Sequence, residues 1–199
     1  MTFFQKLFFL LWRAFQVTWV WLGLYGLWSK VYRFVAEGHR HPIRDFADLS
    51  DLVRYLRDMK WRPDTWRQLW DAVSHPEHVQ YLADTDPQRF IGDCDDFAAY
   101  EMEVIETQLK NHNSWGIVGA NMMSVGWYQP GQGIDGHNVC LLRYGDGTYA
   151  YMDYEWPSQK RGTIREVMTD VLNRRCPGAT LVFWSVMDRN LRVKEIHCQ

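Results

Sequence analysis

The spacing of apolar residues changes along the chain from a helical period to a strand-like one. In the first half, apolar residues recur every three or four positions between charged ones, as on one face of a helix. After residue 114 the apolar runs are shorter, rich in β-branched and aromatic residues, and separated by glycine or proline. The predicted helices are Asp45–Lys60, a short Asp64–Val73, Asp95–Lys110 and Thr163–Arg175, and the predicted strands are Trp115–Tyr128, His137–Tyr144, Thr148–Tyr154, Leu181–Met187 and Leu191–Ile196. This order predicts an α+β domain with an antiparallel sheet.

Leu7–Trp28 is the most apolar stretch, and Arg13 is its only charged residue. A helix of this length rises about 33 Å, which is enough to cross a hydrocarbon core of about 30 Å. A spanning anchor is therefore the leading interpretation of residues 7–28. The alternatives are an interfacial helix, because tryptophan prefers the headgroup region, a helix buried against the domain, and a signal peptide, although no small-residue cleavage motif precedes Ser29.

The apolar pattern ends near Glu37, and the glycine and proline that follow at 38 and 42 predict a linker. We therefore divide the chain into an N-terminal apolar helix at 1–37, a predicted membrane anchor, and a globular domain at 38–199. Four cations follow the apolar segment, namely Lys30, Arg33, Arg40 and Arg44. Because positively charged flanks tend to stay inside, this orientation predicts a membrane-associated protein whose globular domain is cytoplasmic.

Composition argues against several classes of partner and site but does not identify a partner. The 199 residues carry a net charge of -2 with both signs interspersed, so no basic surface for nucleic acid is predicted. The 4 cysteines are widely separated and form no CxxC pair, which excludes a zinc ribbon or a dense disulfide framework. The segment His75–His78 lies at a break in the pattern and is interpreted as a surface turn.

Cys94 lies where the sequence turns into a helix. Asp93, Asp95 and Asp96 surround it, and carboxylates favour a helix N-terminus because they meet unpaired N–H groups and the positive end of the dipole. The same helix end stabilises a thiolate, whereas the neighbouring carboxylates oppose it. A buried structural cysteine is the ordinary alternative for such a residue. Residues further along the chain favour a nucleophile.

His137 and Asp153 lie on the two arms of a predicted hairpin whose turn is centred near Asp146. Both are separated from the turn by similar distances along the chain, so antiparallel pairing brings them alongside each other. A histidine oriented by a carboxylate, together with a cysteine at a helix N-terminus, is the layout of a Cys-His-Asp triad.

Three motifs carry a resemblance to a known family: the run Gly92–Ala98, the run Gly136–Val139 and the run Tyr151–Asp153. Together they resemble the transglutaminase-like cysteine peptidase superfamily, in particular its bacterial and phage branch, over roughly Asp45–Asp188. The resemblance implies a papain/transglutaminase-like core in which the catalytic cysteine, at a helix N-terminus, packs on an antiparallel β-sheet. The N-terminal apolar helix lies outside it.

The resemblance also implies roles for individual residues. Cys94 is expected to be the nucleophile, His137 the general base and acid, and Asp153 the residue that orients the imidazole. The backbone N–H of Cys94 is the first oxyanion donor expected at a helix start. Gln88, six residues upstream, has the spacing of the glutamine donor in papain-like peptidases. Trp61 is a weaker candidate, by similarity to the tryptophan of true transglutaminases.

Calcium is a second expectation from the resemblance. Some bacterial relatives bind calcium through acidic residues that flank the cysteine, and Asp93 and Asp95 match those positions. Calcium takes six or more oxygens, so two carboxylates do not complete a site. Helix capping is the alternative role for both residues, and no other cofactor is expected.

The predicted activity is that of a cysteine peptidase or amidase that hydrolyses amides through a thioester. Its partners would be a protein or peptide substrate and, through residues 7–28, a lipid membrane. Transfer of the acyl group to an amine, as in transglutaminases, uses the same intermediate. An alternative of another class is a catalytically silent scaffold of the same fold, associated with a membrane or a virion.

Overall fold

The computed structural model describes residues 11, 14–15, 18–19, 22–61, 72–86, 88, 90–110 and 115–198. These residues form five helices and eight strands. The helices are α1 (Leu24–Ala36), α2 (Leu49–Arg57), α3 (Pro76–Thr85), α4 (Cys94–Lys110) and α5 (Ile164–Arg175). The strands are β1 (Lys60–Trp61), β2 (Phe90–Gly92), β3 (Ile117–Gln129), β4 (Gly133–Tyr144), β5 (Tyr149–Asp153), β6 (Trp156–Pro157), β7 (Thr180–Met187) and β8 (Val193–Cys198).

Six strands form one antiparallel sheet in the order β6-β5-β4-β3-β7-β8. The long hairpin of β3 and β4 is its centre, and β5 joins β4 through the turn at Asp146–Gly147. The short strands β1 and β2 pair separately and in parallel, just before α4 begins. The fold is therefore α+β with an antiparallel sheet, as the sequence predicts.

The two faces of the sheet are covered by different helices. Helix α4 covers one face, where Phe97 and Ile105 belong to a cluster with Cys140 and Leu142 of β4. Helix α5 covers the other face, where its apolar residues share a second cluster with Val139 and Leu141. Since successive residues of a strand point to opposite faces, even-numbered positions of β4 meet α4 and odd-numbered positions meet α5.

Helix α1 has two contrasting faces. On one face Tyr25 and Ser29 are buried, and a Cβ on Gly26 would come within 3.0 Å of the Leu191 carbonyl, so the helix lies close to the rest of the chain. The opposite face carries an apolar stripe that is exposed to solvent: Leu27, Val31, Phe34 and Val35. Phe34 is 91% exposed. One side of α1 is thus part of the folded domain and the other is uncovered.

Ten of the 22 residues of the predicted segment Leu7–Trp28 lie outside the described residues. Among those that are described, no helix combines the length and the apolar character needed to cross a bilayer. The predicted helix over Asp64–Val73 likewise lies outside the described residues up to residue 71. The division at residues 37 and 38 stays a prediction.

The helix that the sequence prediction missed is α3. The segment His75–His78 was expected to be a surface turn, and this expectation is wrong because α3 begins there. Pro76 occupies the first turn, where a missing N–H does no harm, and the His75 ring accepts a hydrogen bond from the Glu77 N–H at 3.3 Å. The proline thus starts a helix instead of interrupting one.

Candidate active site

Helix α4 begins at Cys94 because the residues before it turn and cap the chain. Gly92 has φ 147°, and a Cβ there would overlap the Asp96 carboxylate at 1.8 Å, so only glycine fits. The carboxylate of Asp93 accepts the N–H of Asp95 at 3.3 Å, and its carbonyl accepts the N–H of Phe97 at 3.1 Å. These contacts confirm helix capping by Asp93. Cys94 itself is partly exposed.

The three carboxylates around Cys94, here called the acidic turn (Asp93, Asp95 and Asp96), are buried and held by donors from distant segments. Tyr25 of α1 donates its hydroxyl to Asp95. Asp96 accepts the N–H of Ser74 at 2.6 Å and that of Asp93 at 3.3 Å. The start of α4 is therefore fixed by hydrogen bonds as well as by packing.

Helix α1 reinforces the same region through the backbone of residues 73–74. Arg33 donates to the carbonyls of Val73 and Ser74 at 2.9 and 3.1 Å, and Ser29 accepts the N–H of Val73 at 3.1 Å. Burial lowers the pKa of Arg33, against the opposing charges of Glu37 and Asp96. Through Ser74, which donates to Asp96, these bonds connect α1 to the turn that carries Cys94.

The predicted contact between His137 and Asp153 is confirmed. The Nε2 atom of His137 lies 2.8 Å from Oδ1 of Asp153, and both side chains are buried. The register pairs Cys140 with Met152, so the next positions outward are Val139 and Asp153. His137 is therefore a diagonal neighbour of Asp153 on the same face of the sheet, a spacing that long side chains bridge.

Arg175, the last residue of α5, completes this pair in a way that the sequence analysis missed. Its Nη2 donates to the same Oδ1 atom of Asp153 that meets His137. Burial raises the pKa of Asp153, but the hydrogen bonds and charges of His137 and Arg175 outweigh it, and the pKa lies below its ordinary value. A carboxylate with two donors at one oxygen is held ionised and in a fixed orientation.

Asn138 is the second residue that the sequence analysis missed. Its Nδ2 lies 3.8 Å from the sulfur of Cys94, and its Oδ1 accepts a hydrogen bond from Ser124 of β3. By strand alternation Asn138 lies on the α4 face of β4, whereas His137 and Asp153 lie on the α5 face. The register therefore does not bring His137 to the face of the sheet that Cys94 meets. The signal that could have found Asn138 is this alternation, applied to the residue after the histidine.

Tyr154 lies at the margin of the sheet, between His137 and the first turn of α4. Its ring lies 5.7 Å from the ring of His137 and 4.5 Å from that of Phe97, one turn after Cys94 on α4. Burial, and then the charge of Cys94, raise the pKa of the Tyr154 hydroxyl, while Arg175 acts in the opposite sense. The hydroxyl stays neutral at physiological pH, and the ring fills the space beside the candidate residues.

Glu101 lies beneath the site, two turns into α4. It is fully buried, and among the described residues its two carboxyl oxygens have no hydrogen-bond partner. Burial raises its pKa well above the ordinary value of 4.5, and the charges of Asp153 and Glu155 act in the same direction. Glu101 is therefore a neutral acid at physiological pH, because an unpaired charge at this depth would be strongly unfavourable.

The two further candidates from the sequence, Gln88 and Trp61, occupy different positions relative to the start of α4. Gln88 is exposed, and the hydrogen bond of its main-chain N–H goes to Asp86 at 2.8 Å. Trp61 on β1 pairs with Gly92 on β2, two residues before Cys94, and is 49% exposed. The structure thus brings the backbone of Trp61 to the start of α4 and leaves Gln88 at the surface.

The residues expected to bind calcium fit a cation in part. One oxygen from each carboxylate of the acidic turn lies within 4.8 Å of the others, so Asp96 joins the expected Asp93 and Asp95. Several of these oxygens already accept hydrogen bonds from Tyr25, Ser74 and the turn itself. The donor set is the all-oxygen type that calcium prefers, and the remaining ligands would have to come from water or substrate.

The resemblance to a known family rests on the three sequence motifs alone. A scan against protein-family models gives no match, and a search of curated proteins gives none either.

Proposed function

We propose that this protein is a thiol-dependent amide hydrolase of the transglutaminase-like cysteine peptidase superfamily. The observation that supports this most strongly is the buried hydrogen bond between His137 and Asp153, with Asn138, the next residue of β4, 3.8 Å from the sulfur of Cys94. Arg175 holds the Asp153 carboxylate, and Tyr154 packs against His137 and against Phe97 of α4. A core of papain/transglutaminase type, with the cysteine helix on an antiparallel sheet, is part of the proposal.

In the proposed reaction, His137 reaches around the sheet margin beside Tyr154 and takes the proton of the Cys94 thiol, and the sulfur attacks the carbonyl carbon of an amide. A C–S bond forms, and the carbonyl electron pair moves to oxygen. The pair then returns, the C–N bond breaks, and His137 donates its proton to the departing amine. Water attacks the remaining thioester and regenerates the thiol, and an amine in place of water would give acyl transfer. Asp153 holds the imidazole in the tautomer that this sequence needs.

A calcium ion, if bound, would be held by the acidic turn. It would supply positive charge that offsets the three carboxylates beside Cys94 and so favours the thiolate. The proposed bond changes and proton transfers involve Cys94 and His137, and none of them requires the ion.

The proposed partners are a protein or peptide substrate and a lipid membrane, with no nucleic acid. The apolar stripe of α1 continues the apolar segment 7–28 along the chain, and an exposed side chain as large as Phe34 suits a lipid surface. Membrane association with the catalytic domain on the cytoplasmic side is therefore part of the proposal.

The proposal is tested by the reactivity of Cys94 towards iodoacetamide at about pH 6.5, where an unactivated thiol is almost wholly protonated. In the wild type, Cys94 should be alkylated faster than Cys198, which is exposed and serves as the internal reference. His137→Gln should abolish this preference. His41→Gln is the matched control, because His41 also pairs with an aspartate, Asp84 at 2.8 Å, in an exposed position. Equal rates at Cys94 and Cys198 in the wild type would contradict the proposal and favour a silent scaffold.

A further inference from the structure

We propose that the side-chain amide of Asn138 is the second oxyanion donor of this site, beside the backbone N–H of Cys94. This inference rests on the proposed function, since an oxyanion forms only if Cys94 attacks a carbonyl. It assigns a catalytic role to a residue that neither the triad nor the acidic turn includes.

The position of the amide is the first support. Nδ2 of Asn138 lies 3.8 Å from the Cys94 sulfur, and Asn138 is partly buried. A carbonyl carbon bonded to the sulfur carries its oxygen within reach of donors grouped around that sulfur. Donors about 2.7–3.1 Å from the position of the oxyanion are the geometric requirement for this kind of stabilisation. At 3.8 Å the contact with the sulfur itself is long and weak, which leaves the N–H group available to the oxygen.

The orientation of the amide is the second support. Ser124 pairs with Asn138 across the β3–β4 hairpin and donates its hydroxyl to Oδ1. With the oxygen held by Ser124, the NH₂ group is the end that faces Cys94. The donor is therefore oriented before any substrate arrives, and no reorganisation is needed when charge develops.

Gln88 is the competing candidate for the same role. It is exposed, and its hydrogen bond in the structure is made by the main chain to Asp86. Asn138 already contacts the sulfur and already has its amide fixed, so the role passes from Gln88 to Asn138.

The bond changes in which the donor acts can be stated for acylation by p-nitrophenyl acetate. The thiolate of Cys94 forms a C–S bond, and the carbonyl electron pair moves to the oxygen that faces Asn138. When the pair returns, the C–O bond to p-nitrophenolate breaks, and an acetyl thioester remains on Cys94. Alkylation by iodoacetamide differs, because sulfur displaces iodide from a CH₂ group and no oxyanion forms.

These two reactions separate an oxyanion donor from a donor to the thiolate. In Asn138→Ala, acylation of Cys94 should slow by roughly a hundredfold, the typical effect of removing one oxyanion donor. The alkylation rate and its pH profile should stay within about twofold of the wild type. Ser124→Ala should slow acylation less, because the Asn138 amide is still present and loses only the hydrogen bond that orients it. Asn121→Ala is the matched control, because Asn121 lies on the same sheet and its amide donates to the Met187 carbonyl at 3.2 Å.

The alternative outcomes overturn the inference in distinguishable ways. If alkylation slows as much as acylation in Asn138→Ala, the amide acts on the thiolate in the ground state. If acylation is unchanged in Asn138→Ala but falls in Gln88→Ala, the papain-like assignment is right. Circular dichroism and the melting temperature of each variant show whether a loss of acylation is caused by unfolding. If Asn138→Ala does not fold, the acylation rate of Ser124→Ala is the test of the inference. Wild-type protein whose Cys94 is neither acylated nor selectively alkylated overturns the proposed function itself.

Discussion

Replacement of Arg175 by methionine tests whether the site depends on an ionised Asp153. Methionine keeps an unbranched apolar stem like that of arginine and removes the guanidinium that donates to Oδ1 of Asp153. The carboxylate is only 1% exposed and keeps His137 as its other donor, so the variant leaves a buried charge with one partner instead of two. We expect the variant to fold with lower stability and with a raised Asp153 pKa.

The size of the effect follows from the exposure of the two partners. Breaking a fully buried ion pair costs about 3–5 kcal/mol, and a single hydrogen bond to a charged group contributes about 1.5–3 kcal/mol. The Arg175 side chain is 32% exposed, so water can partly replace it, and the lower range applies. A loss of about 2 kcal/mol corresponds to a fall in melting temperature of roughly 4–8 °C for a chain of this size.

The pH dependence has a definite sign. A carboxyl whose pKa is lowered by folding contributes stability that is present above its ordinary pKa and lost as the pH falls through the lowered value. The difference in unfolding free energy between wild type and Arg175→Met should therefore be largest at neutral pH and should decrease below about pH 5. In the same range the loss of selective Cys94 alkylation on acidification should begin at a higher pH in the variant, because Asp153 is protonated sooner.

Urea unfolding at several pH values and the alkylation profile of Cys94 are the measurements. Arg174→Met is the matched control, since Arg174 precedes Arg175 on α5 and stacks over the ring of Trp156, 3.3 Å from its centroid. A difference in stability that does not change with pH, or an equal effect in Arg174→Met, would refute the electrostatic role and leave Arg175 as a packing residue.

Three further perturbations test other contacts of the site. Tyr25→Phe removes a hydrogen bond to buried Asp95 and should lower the unfolding free energy by about 1.5–3 kcal/mol, whereas exposed Phe34→Ala should change it by less than about 0.5 kcal/mol. Equal effects would show that α1 contributes nothing specific. Because the Glu101 pKa is raised, its contribution to stability is present below its ordinary value of 4.5 and declines as the pH rises above it, so Glu101→Gln should weaken the dependence of the denaturation midpoint on pH in that direction. An unchanged slope would place the group in an ionised state. If the acidic turn binds calcium, a hundredfold excess over Kd should stabilise the protein by about 2.7 kcal/mol, reversed by EGTA, and an unaffected melting curve would leave the turn as a helix cap.

The parts of the site that the sequence predicts are those set by local rules. The turn at Asp146–Gly147 fixes the pairing of the two strands that follow and precede it, and this pairing brings His137 to Asp153. The start of α4 is equally local, because a glycine that needs a positive φ and a capping aspartate lie directly before Cys94. In both cases the deciding residues are close to the functional ones in the chain.

The parts that sequence reasoning missed are contacts between distant segments. Asn138 meets Cys94 across 44 positions, and Tyr25 meets Asp95 across 70. No periodicity encodes such distances, because they depend on how helices pack over the sheet. In the sequence Arg175 is only the last residue of a predicted helix, and its contact with Asp153 depends on how α5 packs over the sheet.

Histidine and asparagine stand next to each other on β4, and each serves a different side of the sheet. A slip of the strand by one residue would therefore exchange their sides, so that an imidazole would take the place of the amide opposite Ser124. Changes in the length of the β3–β4 turn at 130–132 can be tolerated only if the turn absorbs them, because a shift by two residues keeps the faces but moves Asn138 about 7 Å along the strand from Ser124. Anyone who redesigns this hairpin therefore has to keep the register between Ser124 and Asn138, and not only the side of the sheet on which each residue lies.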